Sequence, residues 1–270
     1  MQIQAFAKIN WALNIIGTRP DGYHEMDMLM QSISLCDTID IHPADMLSFD
    51  GDDYNLVPRA ARALAAATNC RKGARIALQK RIPARAGLGG GSADAAATLI
   101  ALNDMWGLGL SRDPLCEIGL KLGADVPFCV VQRPMRARGL GDVLTPISVK
   151  NRYELVLLHP GNGLSTPDMF RAFDGEVTHD ESADIPTAAT ALEWGDLSLL
   201  NRSARNMLTG CAINALPEIA AAMDVLDRAG SLFTRMSGSG SAVFGVFEGA
   251  QSADRAAQQI GGKAIRAHTL

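Results

Sequence analysis

Apolar and polar residues alternate from the start of the chain. In IQAFAKINWALNII, residues 3–16, one face carries Ile3, Ala5, Ala7, Ile9, Trp11, Leu13 and Ile15. The other carries Gln4, Phe6, Lys8, Asn10, Ala12 and Asn14. A period of two predicts a strand. RPDGYH follows as a turn, because Pro presets φ and Asp-Gly tolerates a tight bend. LMQSISLCDTIDIHP continues the β signal. Residues 55–68, NLVPRAARALAAAT, predict a helix with Pro58 near its first turn. ARIALQKRIP reads as a strand, and a helix is expected from about Ser92 to Trp106. SRDPLCEIGLKLG predicts another, with Ser111 as N-cap and Gly123 closing it. DVPFCVVQ, PMRARGLG and DVLTPIS read as short strands.

The rhythm then changes. YELVLLHP is a strand, and helical segments are expected over 166–173, 187–208 and 217–229. SLFTRMS and SAVFGVFE predict a hairpin around Gly238, Ser239 and Gly240. A helix over 252–260 and a last strand, AIRAHTL, complete a split βαβ pattern. The class is α+β, with a domain boundary near residue 150.

Composition narrows the partners. The 270 residues are 47% hydrophobic and 20% charged, with a net charge of −4. No basic run stands out, so nucleic acid and an anionic membrane are not expected as main partners. No apolar run is long enough to span a bilayer. The N-terminus lacks the marks of a signal peptide. The five cysteines are scattered, without CxxC spacing, as in a reduced cytoplasmic protein.

Four glycines fall within five positions of PARAGLGGGSADAAATLIALN, residues 83–103. The loop fits neither Walker A, which needs a Lys after its glycines, nor the dinucleotide fingerprint GxGxxG. Glycines still let a backbone approach an anion, and the helix that follows offers free N–H groups and its positive dipole end. A plain turn with Ser92 as N-cap is the alternative. Asp94 near the helix start suits the dipole and reads as structural.

Lys8 lies in an apolar strand. It is either solvated or turned with Asn10 toward a polar cleft. Asp125, in LGADVPFCVV, enters an apolar run, where a carboxylate needs a cation or hydrogen bonds. It is either a turn residue or a base. A Lys–Asp pair beside a phosphate nest suits phosphorylation of a hydroxyl. Gly238, Ser239 and Gly240 form a hairpin turn whose N–H groups could hold a substrate phosphate. Tyr23 and His24 after their turn could grip a ring or phosphate. Phe170 reads first as core.

Together, AFAKINWALNIIGTRPDGYHEM, KRIPARAGLGGGSADAA, LGADVPF and SGSGSAVF resemble the GHMP kinases over essentially the whole chain. AKIN…DGYH with GADVPF is similar to the branch that phosphorylates the 2-hydroxyl of a CDP-linked methylerythritol in non-mevalonate isoprenoid synthesis. The resemblance implies two domains. Residues 1–150 would form an ATP-binding domain like domain 2 of ribosomal protein S5, and residues 151–270 a ferredoxin-like, substrate-binding domain. It implies Lys8 and Asp125 as the catalytic pair, with Asp125 the base. It implies that Pro83, Ala84, Arg85, Ala86, Gly87, Leu88, Gly89, Gly90, Gly91, Ser92 and Ala93 wrap the phosphates of ATP, with Ser92 near phosphate or Mg²⁺. Asn55, Leu56 and Lys80 match positions near the adenine. Asn10, Tyr23, His24 and Phe170 match positions at the cytidine end, where Tyr23 and Phe170 would sandwich the cytosine. Met30 stands where relatives can carry an aromatic. The implied partner is a small molecule, and the chain is expected as a monomer or weak dimer. Two rivals remain: a homoserine- or mevalonate-type kinase, and a nucleotide-binding regulator without catalysis.

Overall fold

The computed structural model describes residues 1–270 except 51–54, 162 and 177–180. The chain forms two compact units. One comprises residues 1–7, 35–82 and 89–132; the other comprises 8–34, 83–88 and 133–270. The chain passes between them inside two long strands, β1 (Gln2–Thr18) and β2 (His24–Ala44), which pair with each other. The turn between these strands is where RPDGYH places it.

In the first unit, β4 (Gly73–Gln79) lies antiparallel to the end of β2 and parallel to β3 (Leu47–Asp50). Four helices accompany this sheet: α1 (Leu56–Thr68), α2 (Gly90–Trp106), α3 (Arg112–Leu120) and α4 (Val126–Val131). Helix α1 starts where Asn55 Oδ1 accepts the Val57 amide at 3.0 Å. Pro58 falls in the first turn, where its missing N–H costs nothing. Helix α2 is buried around nearly its whole circumference. Ala93, Ala95, Ala96, Ala97 and Ala101 present little bulk, so α1 and α4 can pack closely against it.

Two expectations fail here. DVPFCVVQ is not a strand but α4, with Asp125 at its N-cap position and Pro127 in its first turn. A short run of apolar residues does not distinguish a buried strand from a buried helical turn. Ser111 does occupy the N-cap position of α3, but its side chain makes no capping bond, and the helix ends at Lys121 rather than Gly123.

In the second unit, the start of β2 pairs antiparallel with β5 (Met135–Gly139), and β5 with β6 (Val143–Pro146). A separate antiparallel sheet has the order β10 (Ala264–His268), β7 (Glu154–Leu158), β9 (Val243–Phe247), β8 (Phe233–Met236). Helices α9 (Glu218–Arg228) and α10 (Ala250–Ile260) pack on it. Strand order 4-1-3-2 with two crossover helices is the ferredoxin-like arrangement anticipated from the split βαβ pattern.

Helix α5 (Thr166–Asp174) matches its expected span. The segment 187–208 does not form one helix. It contains α6 (Ile185–Trp194) and α7 (Leu197–Ser203), and α8 (Thr209–Ala215) follows. Gly195, at φ 73°, ends α6 in a left-handed cap, and Asp196 starts α7 by accepting the Leu199 amide. Trp11 anchors the core against Tyr153, Phe233 and Phe244, with ring centroids 5.2–5.6 Å apart. Its indole N–H donates to Gln31 Oε1 at 2.9 Å, so the ring is buried without stranding its polar atom. Among the described residues, no helix is long and apolar enough to cross a membrane.

Candidate active site

In the second unit, three sequence features more than 70 residues apart converge on Lys8. The residue is 4% exposed, and its ammonium donates to Asn10 Oδ1 at 2.6 Å. The lysine's backbone amide donates to Leu88 O at 3.0 Å. The far turn enters through Gly238, at φ 54°. A Cβ added there would lie 2.7 Å from Gly87 O and 3.2 Å from Lys8 Nζ. Gly87 is equally constrained: φ is 71°, and a Cβ would fall 2.0 Å from Ser237 O. These two glycines are required because two backbones touch.

The loop is stitched to the turn. Ser237 Oγ donates to Gly87 O at 3.0 Å and accepts the Asn10 amide at 3.3 Å. The Ala242 amide donates to Ala86 O, and the Leu164 amide to Arg85 O, each at 3.0 Å. The Ser239 and Thr166 hydroxyls are 2.8 Å apart. Asn206 Nδ2 donates to the carbonyls of Met236 and Gly238. Pro83 and Ala84 complete this half of the loop, with Ala84 exposed.

The rest of the glycine loop opens α2 in the first unit. Gly89 is its N-cap, at φ 68°, so the helix starts two residues before Ser92. Ser92 is therefore a first-turn residue, not the cap. Ala93 is the first residue whose amide bonds back, to Gly89 O at 2.8 Å. The amides of Gly90, Gly91 and Ser92 precede any intrahelical acceptor and sit at the positive end of the helix. Such amides fit an anionic phosphate chain. A Cβ at Gly91 would meet nothing closer than Leu56 Cδ1, 3.6 Å away. Leu56 is thus a neighbour of the loop, and Asn55 is the N-cap of its helix. A Cβ at Gly123 would lie 3.7 Å from Ser92 Oγ. The segment leading to the half-buried Asp125 therefore runs past Ser92.

Lys80 sits beneath this helix start. Its ammonium donates to Asp37 Oδ2 at 2.5 Å and Asp94 Oδ2 at 2.8 Å. Both carboxylates are fully buried, whereas the lysine side chain is 39% exposed. Asp37 Oδ1 also takes the amides of Arg81 and Ile82. Burial pushes the Asp94 carboxyl up to about 7, against the pull of Lys80. Its Oδ1 has no hydrogen-bond partner among the described residues. Burial lowers the Lys80 ammonium, but the two carboxylates outweigh it and hold the ammonium above its ordinary value. Gly90 faces this cluster: a Cβ there would lie 2.9 Å from Ile82 Cγ2 and 3.3 Å from Lys80 Nζ.

His24 lies elsewhere in the second unit, stacked on Phe170 with centroids 4.7 Å apart and planes 16° from parallel. Its Nε2 is 2.7 Å from Asp174 Oδ1. Phe170 is half-buried, a ring platform rather than core. Tyr23 is 64% exposed, and Met30 is fully buried. Ser237, Thr166, Asp174 and Asp37 escape sequence reasoning. Only Ser237 lies in a segment whose composition draws attention; the others gain meaning from partners far along the chain. Among the described residues, no group of three or more His, Cys, Asp or Glu could hold a metal ion.

A glycine loop at a helix start, a buried lysine and a ferredoxin-like sheet define a class of phosphoryl-transfer protein. Residues 55–133 match the GHMP kinases N terminal domain, and residues 188–266 match the GHMP kinases C terminal region. The chain belongs to the GHMP kinase family, whose members use ATP. Within it, the chain is 42% identical over 262 residues to a 4-diphosphocytidyl-2-C-methyl-D-erythritol kinase of Pelotomaculum thermopropionicum, covering 94% of this chain and 91% of the relative. A crystal structure of 4-(cytidine 5'-diphospho)-2C-methyl-D-erythritol kinase superposes with a TM-score of 0.87 at 35% identity, covering 100% of this chain and 99% of that one. A homoserine kinase from Cytophaga hutchinsonii superposes at 0.71 with 18% identity, covering 98% and 94%. That likeness is one of fold.

Proposed function

We propose that this chain transfers the γ-phosphoryl group of ATP to the 2-hydroxyl of 4-diphosphocytidyl-2-C-methyl-D-erythritol, a step in non-mevalonate isoprenoid synthesis. The observation that carries the reading is the convergence on Lys8. A nearly buried ammonium lies against the backbone of both glycine-rich segments. The glycine loop lacks the lysine that Walker A supplies, and Lys8 provides that positive charge from a different strand.

Asp125 accepts the proton of the 2-hydroxyl. The oxygen then attacks the γ-phosphorus, the bond to the β-phosphate oxygen breaks, and ADP leaves. Lys8 stabilises negative charge gathering on the transferring group, and Asn10 fixes the direction of its ammonium. Residues 83–93 hold the phosphates, beside an adenine wall of Asn55 and Leu56. Mg²⁺, when bound, would neutralise phosphate charge, and Ser92 is the residue here that would meet it. Lys80, committed to Asp37 and Asp94, supports the adenine side through the helix start. The His24–Phe170 stack, with Tyr23, receives the cytosine, and Gly238 and Ser239 offer amides to the diphosphate, while the Gly240 amide closes the turn by donating to Ser237 O at 3.0 Å. Residues 1–150 supply the ATP side and residues 151–270 most of the acceptor side, in the cytoplasm.

Relatives at about 40% identity that are named for this activity support the acceptor. The test is a transfer assay with ATP and Mg²⁺, offering the CDP-linked alcohol beside homoserine and mevalonate. Phosphorylation of the first and not the others is expected. Transfer to homoserine or mevalonate alone would overturn the acceptor, and no transfer at all would favour a non-catalytic regulator.

A further inference from the structure

A second concentration of positive charge lies in the second unit, outside the residues assigned above. Arg235 on β8 and Arg205 after α7 direct their guanidiniums at the same two carbonyls. Arg235 Nη2 donates to Asn201 O and Ala204 O, each at 3.0 Å. Arg205 Nη1 donates to the same pair at 3.0 and 2.7 Å. Those carbonyls end α7, where the helix dipole is negative. A helix end carries only about half a charge, so two full cations remain incompletely balanced.

Among the described residues, the nearby carboxylates do not make up the difference. Glu181 Oε2 is 4.0 Å from Arg205 Nε, and its side chain is 87% exposed. Asp227 Oδ1 is engaged by the Thr234 hydroxyl at 2.5 Å. Burial, and then Arg205 itself, press the Arg235 guanidinium down to about 10. The two arginines border a cavity of about 600 Å³, together with Asn201, Asn206, Thr209 and Glu181. The Asn206 amide is spent on Met236 O and Gly238 O. Arg205 Nη2 and the Thr209 hydroxyl make no hydrogen bond to a described residue, so both can serve a guest.

We propose that this cavity binds a phosphate group, free or on a small ester, between Arg205 and Thr209, with the charge of Arg235 behind it. Arg205 offers Nε and Nη2, the fork that matches two oxygens of a tetrahedral oxyanion. Thr209 supplies a third donor. Arg235 contributes charge rather than contacts, because its N–H groups are already used. The site does not depend on the kinase reading.

Isothermal titration and thermal melts of the full chain test it. The probes are inorganic phosphate and glycerol 3-phosphate, against chloride at matched ionic strength. Binding with a raised Tm is expected, and Arg205→Met should weaken it about tenfold or more. Thr209→Val should weaken it about threefold. A phosphate held at the glycine loop would bind both proteins alike, so the difference isolates this cavity. Binding of inorganic phosphate alone would mark a free-anion site, and binding of the ester alone a metabolite site; either supports the proposal. Equal binding by Arg205→Met, or no binding of either probe to the unaltered chain, overturns it. If Arg205→Met fails to fold, Arg205→Lys keeps the charge without the fork, and undiminished binding there and in Thr209→Val overturns it equally.

Discussion

Two lysines sit close to glycine-loop backbone in contrasting company. Lys80 is 39% exposed, yet two fully buried carboxylates hold its ammonium. Lys8 is 4% exposed, and its ammonium donates to the neutral amide of Asn10 at 2.6 Å. The first arrangement places one cation between two anions that cannot reach water. Carboxylates that need their lysine make it structural. Lys8 instead lies where the backbones of Gly87 and Gly238 meet, at the site proposed for phosphoryl transfer.

The largest effect should separate the two lysines by activity. Lys8→Met is expected to lower turnover about a thousandfold or more while leaving the melting temperature near its starting value. Asp125→Asn should do the same and keep ATP binding. Steady-state kinetics beside a thermal melt decide, and near-normal turnover in either variant removes that residue from the chemistry.

Lys80→Met should act on stability. It strands Asp37 and Asp94 without their cation, at a cost of about 1–3 kcal/mol, moderated because water reaches the lysine. Urea unfolding measures this. An unchanged midpoint would mean that the carboxylates do not need Lys80.

A pH series sharpens the same contrast. Asp94 is held near 7 in the folded chain, above the roughly 3.9 of an unfolded aspartate. Between those values the native state holds more protons than the unfolded state. Stability from this group is therefore complete below about pH 4 and lost as pH rises through about 7. Asp94→Asn should flatten that slope, as read from urea midpoints between pH 4 and 8. A slope unaltered by the substitution would place its origin elsewhere.

The smallest contrast lies between adjacent glycines. Gly90→Val should cost about 1–3 kcal/mol by pressing on Ile82. Gly91→Val has room in the folded chain, so it should leave stability nearly intact and raise KM for ATP. Unfolding curves and ATP kinetics on both variants separate the two, and a normal KM in Gly91→Val would take that position away from the phosphates.

Much of this was legible along the chain. The period of two in residues 3–16 gives β1, and the split βαβ spacing gives the ferredoxin-like sheet. The glycines of residues 87–91 declare a helix start suited to an anion, and the lack of a following lysine directs attention to Lys8. Failures came where the pattern is short. VPFCVV, apolar throughout, has no period to read and folds as one helical turn and a half. Residues 187–208 hide a break, because Gly195 and Asp196 act through φ and a side-chain cap rather than through hydrophobicity.

The sequence by itself determined most of the elements and the glycine loop, because backbone geometry and local spacing are written in neighbouring residues, and its motifs carried the resemblance to the family. Only the tertiary structure decided that Gly87 must be glycine to admit Ser237, that Asp94 shares Lys80 with Asp37, and that Arg205 and Arg235 meet at one helix end. Each of those facts depends on atoms brought within a few ångströms from distant parts of the chain. Burial, charge pairing and steric fit arise between such partners, and no local pattern encodes them.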